Sequence, residues 1–378
     1  SVMKILVHKV PSSFDFVFLG CFRRFGGKRQ QGHLTRGDDY MREVQLIKTG
    51  GSEAFQVIEK SDFMPSSLTA KNEVLIKVKY SGINFADIMM RQGLYPEAPK
   101  KPFVPGYEFS GEVQAVGPEV HNLKVGDQVM GGTLFGGYSE QIRLPAYQVR
   151  KLPEGWSLEQ GAAFPVSFLT AYLAMFELTR VRDGDRVYID CATGALGQMC
   201  FQLLKEKSRI RLYGGTTSPE KKEFIKSLGA IPIVQGEHEK GQYYDVVLNS
   251  RGGKSLKKDY DHLAPCGRMV VLGLSSAVGP GQKHWGKILS TVYETLLSMV
   301  RFPLWKLMMD NKGVMGLNVL QYLEQNEKAF ELFQDRDLSN FPPPKVDTSF
   351  PASQVGEAHE YIEQKKAKGK VLLSWENE

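Results

Sequence analysis

The chain has 378 residues, 42% of them hydrophobic and 24% charged, with 38 Gly and 19 Pro. That usage excludes disorder, collagen and coiled coil as the dominant state, and at roughly 100–200 residues per domain it points to two or three domains. The formal charge of +6 is uneven: residues 1–40 hold seven Lys or Arg against three acids, so the main body does not read as a nucleic-acid binder.

The four cysteines, Cys21, Cys191, Cys200 and Cys266, include no C-x-x-C pair. Their scatter argues against a disulfide framework or a Cys-rich zinc site and for a reducing, cytoplasmic setting. No uncharged apolar run approaches the roughly 18 residues of a membrane span. The most apolar stretch, Lys287 to Met309, is broken by Glu294, Arg301, Pro303 and Lys306.

In chain order, residues 1–40 place Phe14, Phe16, Phe18 and Phe22 beside a basic Gly-rich piece without a sustained period. They read as an extension of unknown role ahead of a start at Met41. From Met41 to about Pro165 the signals are short strands with Gly and Pro punctuation. Val74, Ile76, Val78 and Tyr80 alternate with Lys77 and Lys79, the pattern of a half-buried strand. This part predicts a mostly antiparallel β domain.

After Ser157 the period changes. Ser157 and Gln160 form a capping-box pattern, and Val166 to Leu178 predicts a helix. From Arg186 onward strand candidates (Val187–Asp190, Ile210–Tyr213, Ile231–Val234, Asp245–Asn249, Met269–Leu272) alternate with helix candidates (Gly197–Lys207, Pro219–Leu228, Leu256–Leu263). The helix from Pro219 has Ser218 as its N-cap and Gly229 just past its end. Such alternation predicts a doubly wound parallel sheet, hence an α/β chain. Between Val234 and Asp245, however, the connection is too short for the usual crossover helix. The segment Trp285 to Met309 reads either as amphipathic helices covering the sheet or as a membrane-surface or substrate-lid element.

The strongest chemical signal is Tyr188-Ile-Asp-Cys-Ala-Thr-Gly-Ala-Leu-Gly197, a strand, a glycine turn and a helix start. Gly194 and Gly197 would let a pyrophosphate approach the backbone, and the helix N-terminus favours its charge. An NAD site places an acid roughly 20 residues further on, at the end of the second strand. Here that place reads Gly215-Thr-Thr-Ser-Pro-Glu-Lys-Lys222. Thr216 and Ser218 offer hydroxyls and Lys221 a cation, which suits a 2′-phosphate and so NADPH.

A second constellation is Asn84-Phe-Ala-Asp-Ile-Met-Met-Arg-Gln-Gly-Leu-Tyr95, followed by Pro105-Gly-Tyr-Glu-Phe-Ser-Gly111. With Val166-Ser-Phe-Leu-Thr-Ala-Tyr172 and the closing Gly369-Lys-Val-Leu-Leu373, it resembles the quinone oxidoreductase (zeta-crystallin-like) branch of the medium-chain dehydrogenase/reductase superfamily. The similarity is greatest to the vesicle amine transport protein-like members and runs from about Met41 to Trp375.

The resemblance implies a GroES-like catalytic domain over residues 41–165 and 313–378, and a Rossmann NADPH-binding domain over 166–312. It implies a homodimer that delivers hydride from NADPH to a quinone or related conjugated carbonyl (enone) substrate without zinc. Zinc-dependent relatives carry Cys at the position of Asn84 and His at that of Tyr107, and catalytic zinc needs about three nitrogen, sulfur or oxygen ligands. His121, His238, His262 and His284 read as surface residues. By the same resemblance Asn84 lies at the nicotinamide and stabilises acceptor oxyanion charge, with Thr170 beside it. Cofactor contacts would be Thr193, Gly194, Ala195, Leu196, Gly197, Thr216, Ser218, Lys221, Ser250 and Gly273.

Four departures stand out. Gln235 replaces a Tyr common in the family, the helix after it is missing, and Asp335 to Pro344 interrupts an expected helix. Met89 is often Tyr in quinone reductases. These favour, as a second reading, a catalytically weak NADPH-binding relative, membrane-peripheral or of trafficking type.

Overall fold

The computed structural model describes residues 40–376 apart from 65–67, 69, 96, 280, 282–283, 302–303 and 327–328. Apart from Tyr40, the extension read over residues 1–40 lies outside the described residues.

Seven strands follow from the alternating pattern after Met41: β1 (Tyr40–Leu46), β2 (Phe55–Ser61), β3 (Glu73–Gly82), β4 (Glu108–Val116), β5 (Gln128–Gly132), β6 (Gln141–Pro145) and β7 (Val149–Lys151). In β3 Val74, Ile76 and Val78 are buried while Lys77 faces solvent, the period of a pleated strand. β1 and β2 pair as a hairpin, and β3, β4, β5 and β7 run antiparallel with β6 also on β3. Their shared core includes Val44, Val78, Phe109, Val129 and Tyr138. Each apolar side chain taken fully out of water there contributes about 1.5–3 kcal/mol. Two short helices complete this part, α1 (Phe85–Arg91) and α2 (Leu158–Ala162). The capping box that starts α2 is formed: Ser157 N donates to Gln160 Oε1 at 2.9 Å and Gln160 N to Ser157 Oγ at 3.3 Å.

The expected helix from Val166 is α3 (Pro165–Tyr172), and it widens into a π turn over Leu173–Leu178. Then come β8 (Arg186–Ile189), α4 (Ala195–Leu204), β9 (Arg211–Thr216), α5 (Lys222–Ser227), β10 (Ile231–Val234), β11 (Tyr244–Asn249), α6 (Lys254–Asp261), β12 (Leu263–Val271), α7 (Trp285–Arg301), α8 (Leu304–Asp310) and β13 (Gly313–Gly316). The six strands form one parallel sheet in the order β10-β9-β8-β11-β12-β13. Along β11, Val246 and Leu248 join the core with Phe168, Leu169 and Phe201, whereas Val247 packs with Tyr188, Tyr213 and Tyr260. Both faces are covered, as a parallel sheet requires.

The chain then returns through α9 (Val319–Gln325), α10 (Ala329–Gln334), β14 (Val346–Pro351), α11 (Val355–Glu363) and β15 (Lys370–Ser374). β15 pairs with β3 and carries β14 on its other side, so the first sheet has the order β14-β15-β3-β4-β5-β7. Residues 335–345 hold no helix or strand, and the three consecutive prolines 342–344 keep the end of that segment extended.

Two sequence readings are corrected. β13 pairs in parallel with β12, so the Rossmann sheet continues through Gly316 and the boundary at 312/313 cuts it short. The shortened connection has no helix among its residues 235–243, and His238, read as a surface residue, fills the gap. Its side chain is fully buried, with ring centroids 5.0 Å from Tyr188 and 5.4 Å from Tyr244.

Candidate functional site

The turn from β3 into α1 places Asn84 at the helix N-cap, where its N–H donates to Asp87 Oδ2 at 2.8 Å. The Asn84 side chain is held at both ends: Oδ1 accepts from Lys370 Nζ at 2.7 Å, and Nδ2 donates to Glu108 Oε1 at 2.9 Å. Glu108 on β4 pairs with Lys370 on β15, both side chains buried. Its second oxygen accepts from Val166 N at 2.8 Å, at the start of α3. One network thus ties α1, β4 and β15 to the first helix of the nucleotide-binding half. Thr170 lies one turn along α3, its hydroxyl donating to Val166 O at 2.7 Å. The two residues expected at the nicotinamide therefore flank one junction.

Beneath Asn84, Asp87 is buried and accepts from Tyr138 Oη at 3.0 Å. Burial pushes its carboxyl up to about 7, against the hydrogen bond from Asn84.

At the end of β8, Gly194 is the N-cap of α4, with its N–H on Cys191 O at 3.1 Å. Gln198 Nε2 donates to Thr193 O at 2.9 Å and shapes the turn. A Cβ on Gly197 would lie 2.2 Å from Cys191 O, so the helix can approach the strand only with glycine there. A Cβ on Gly194 would meet nothing nearer than Cys191 O at 3.6 Å. The N–H groups of Ala195, Leu196 and Gly197 have no intrahelical acceptor, and the dipole of a ten-residue helix adds positive potential. This cradle fits a pyrophosphate.

The end of β9 departs in part from expectation. Ser218 makes no side-chain cap, and its N–H donates instead to Thr216 Oγ1 at 3.1 Å. Lys221 is buried and spends its ammonium on the carbonyls of Lys365, at 2.6 Å, and Ala367, at 2.9 Å. Burial, then the charge of Lys368, lowers its pKa. The exposed cations at this end come from the turn before β15, where Lys365 Nζ donates to Thr217 Oγ1 at 3.3 Å. Lys368 lies over the Phe224 ring at 6.0 Å, with Lys345 at 4.5 Å. Sequence reading missed Lys365 and Lys368, because nothing local ties them to β9. The basic run Lys365 to Lys370 is their only trace.

Ser250 follows β11, and its N–H and hydroxyl both go to Asp190, at 2.8 and 2.7 Å. Arg251 adds a side-chain contact to Asp190 at 3.3 Å. The hydroxyl is therefore committed to bracing a buried carboxyl that burial holds above its usual range. Gly273 follows β12 at the same edge, with nothing nearer than Ser250 O at 3.7 Å from a Cβ position.

The donor set does not suit zinc. Tyr107, at the position of the relatives' His, is buried with its hydroxyl on Met90 Sδ at 3.2 Å. Asn84 and Tyr107 supply a carboxamide and a phenol rather than thiolate and imidazole. Among the described residues no group of three or more His, Cys, Asp or Glu could hold a metal ion.

Residues 70–154 match the alcohol dehydrogenase GroES-like domain and residues 222–373 the zinc-binding dehydrogenase domain. The synaptic vesicle membrane protein VAT-1 homolog of Rattus norvegicus is 31% identical over 348 residues, 88% of this chain and 84% of the rat protein. The chain belongs to the medium-chain dehydrogenase/reductase superfamily. The VAT-1 homolog of Danio rerio is 33% identical over 319 residues, which cover 80% of this chain but only 64% of that protein's length. The quinone oxidoreductase of Escherichia coli, solved in complex with NADPH, is 26% identical with a TM-score of 0.71, covering 88% of this chain and 99% of that one.

In this medium-chain dehydrogenase/reductase a small cavity of about 80 Å³ lies between Tyr95, Leu134 and Phe135 on one side and the start of α9 on the other, with Glu97 and Glu324 also in its wall. Tyr95 Oη donates to Asn318 Oδ1 at 3.3 Å across it. The loop from β12 to α7 is seated on the catalytic half. Gln92 Nε2 donates to Gly279 O at 2.8 Å, Arg91 Nη1 donates to Gly281 O at 3.2 Å, and Gly281 N donates to Glu363 Oε2 at 2.8 Å.

Proposed function

We propose that this chain is a zinc-independent, NADPH-dependent reductase that transfers hydride to a quinone or related conjugated carbonyl. The observation that carries the reading is the cationic end of β9. Lys365 donates to Thr217, Lys368 lies close enough to Lys221 to lower its pKa, and no acid stands between Thr216 and Pro219. A ribose 2′-phosphate is favoured there and a bare ribose gains little, so the cofactor is NADPH. The resemblance to an Escherichia coli quinone oxidoreductase complexed with NADPH supports the same choice.

When bound, NADPH supplies a hydride, and a quinone takes it up with one solvent proton to leave hydroquinone and NADP⁺. Thr193 to Gly197 hold the pyrophosphate, and Thr170 and Gly273 border the nicotinamide. Asn84 donates a hydrogen bond to the acceptor oxygen as negative charge develops on it. A conjugated acceptor delocalises that charge itself, which is why two non-metal side chains at 84 and 107 suffice.

The test is tryptophan quenching by NADPH, followed by quinone-dependent loss of reduced-nicotinamide absorbance. Binding without turnover across quinones and enals would turn the reading to its weak, non-catalytic alternative. One observation favours that alternative as a peripheral membrane protein: Trp285, Leu289, Tyr293 and Leu296 form an exposed stripe on α7. No helix among the described residues is long and apolar enough to cross a membrane. Co-flotation with anionic vesicles, lost in Leu289→Glu, decides it. A homodimer belongs to the main reading, supported by β13 as an edge strand beside exposed Trp305 and Met308. Sedimentation velocity tests it. A cytoplasmic setting belongs to it too, with Cys191, Cys200 and Cys266 all free thiols.

A further inference from the structure

Asn84 can serve an acceptor oxygen only if its carboxamide presents nitrogen, not oxygen, to the crevice. Nothing in an asparagine fixes that choice, because a half-turn about the last bond exchanges the two groups at nearly equal shape. Here the choice is fixed from behind by two opposite charges. The Lys370 ammonium lies 2.7 Å from Oδ1, and the Glu108 carboxylate lies 2.9 Å from Nδ2. A flipped amide would set NH₂ against NH₃⁺ and carbonyl oxygen against carboxylate.

The pair is itself held. Lys370 and Glu108 are buried, and Glu108 is anchored by Val166 N at 2.8 Å. Gly82 leaves the room, since a Cβ there would stand 2.6 Å from Glu108 Oε1. Of the two Nδ2 protons one goes to Glu108, and the other has no acceptor among the described residues. A cation on the amide oxygen draws density from nitrogen and strengthens that remaining donor.

We infer that Lys370 is a positioning residue, which with Glu108 locks the Asn84 carboxamide and by its own charge polarises it, so that the second Nδ2 proton meets the acceptor oxygen. The inference rests on the reading of Asn84 as the acceptor's donor. It gives Lys370 no contact with the acceptor, and its effect on rate passes through Asn84.

The experiment is a double-mutant cycle on the full chain, with NADPH and a simple quinone as the probes. Lys370→Met lowers kcat about tenfold or more while the Kd for NADPH changes less than threefold, and Lys370→Arg recovers most of the rate. In an Asn84→Ala background Lys370→Met has no further effect. The same loss in both backgrounds, or a fall in NADPH affinity matching the fall in kcat, overturns the inference. If Lys370→Met does not fold, Lys370→Gln and Glu108→Gln carry the cycle with the same expectation, and Lys370→Arg remains the rescue.

A second readout stands apart from turnover: the Asn84 side-chain amide protons by NMR, assigned through Asn84→Asp. They exchange slowly with solvent in the parent and at least tenfold faster in Lys370→Met or Glu108→Gln. An inactive parent with this difference intact removes the proposed reaction and leaves the positioning. No difference removes the positioning whatever the activity.

Discussion

Lys221 donates to the main-chain carbonyl of Lys365 at 2.6 Å, across 144 residues of sequence. The residue that local reading marks as a phosphate ligand is thus the brace for the turn that brings Lys365 and Lys368 to β9. Lys365→Glu or Lys368→Glu weakens NADPH about tenfold or more, the size of one lost charge-assisted contact, and leaves NADH nearly unchanged. Lys221→Met acts mainly on thermal stability. Fluorescence titration with both cofactors separates the two, and equal losses for NADPH and NADH would refute the assignment.

Arg91 and Glu363 form an ion pair with both side chains fully buried. Burial drives the Arg91 pKa down and the Glu363 pKa up, and their mutual attraction opposes both shifts. Removing one partner leaves a buried charge, so Glu363→Ala costs about 3–5 kcal/mol. It also releases Gly281, which donates to Glu363 Oε2. Calorimetry should show the loss of stability, and limited proteolysis should cut between β12 and α7 faster than in the parent.

Asp87 makes a pH prediction with a definite sign. Its carboxyl is raised to about 7 in the fold by burial, so ionisation is easier in the unfolded chain. Its contribution is complete below the ordinary carboxylate pKa and is lost as pH rises toward 7. Asp87→Asn removes that part of the decline. The Tm difference between pH 5 and pH 8 therefore shrinks in the variant, and an unchanged difference contradicts the assignment.

Gly197 is required by contact. Its Cβ would stand 2.2 Å from Cys191 O, a backbone atom that cannot swing away. Gly197→Ala shifts α4 from β8, costs about 1–3 kcal/mol and weakens NADPH through the displaced N–H groups. Gly194→Ala meets open space, and its effect falls on cofactor affinity rather than Tm.

Local patterns made much of the fold legible. The alternation in β3, the Ser157–Gln160 box and the strand–helix series from Arg186 depend on neighbours in sequence. β13 is not legible in the sequence because four residues, Gly313 to Gly316, carry too little pattern to reveal a parallel partner. The burial of His238 is not legible locally because it comes from Tyr188, which lies 50 residues away, and from Tyr244 on the next strand.

At the candidate site, the positions of Asn84 at the start of α1 and of Gly194 and Gly197 at the start of α4 are legible in the motifs. Their supports are not: Lys370 meets Asn84 across 286 residues, and Lys365 meets Thr217 across 148. The Ser250 hydroxyl donates to Asp190 at 2.7 Å, a bond no linear pattern announces.

The most direct measurement takes chelator-treated, metal-free protein, titrates it with NADPH and NADH, and then adds a simple quinone. Binding should be saturable and tighter for NADPH, and quinone-dependent oxidation of NADPH should not increase when zinc is added. No binding at millimolar NADPH, or turnover that appears only when zinc is returned, would contradict the proposed function.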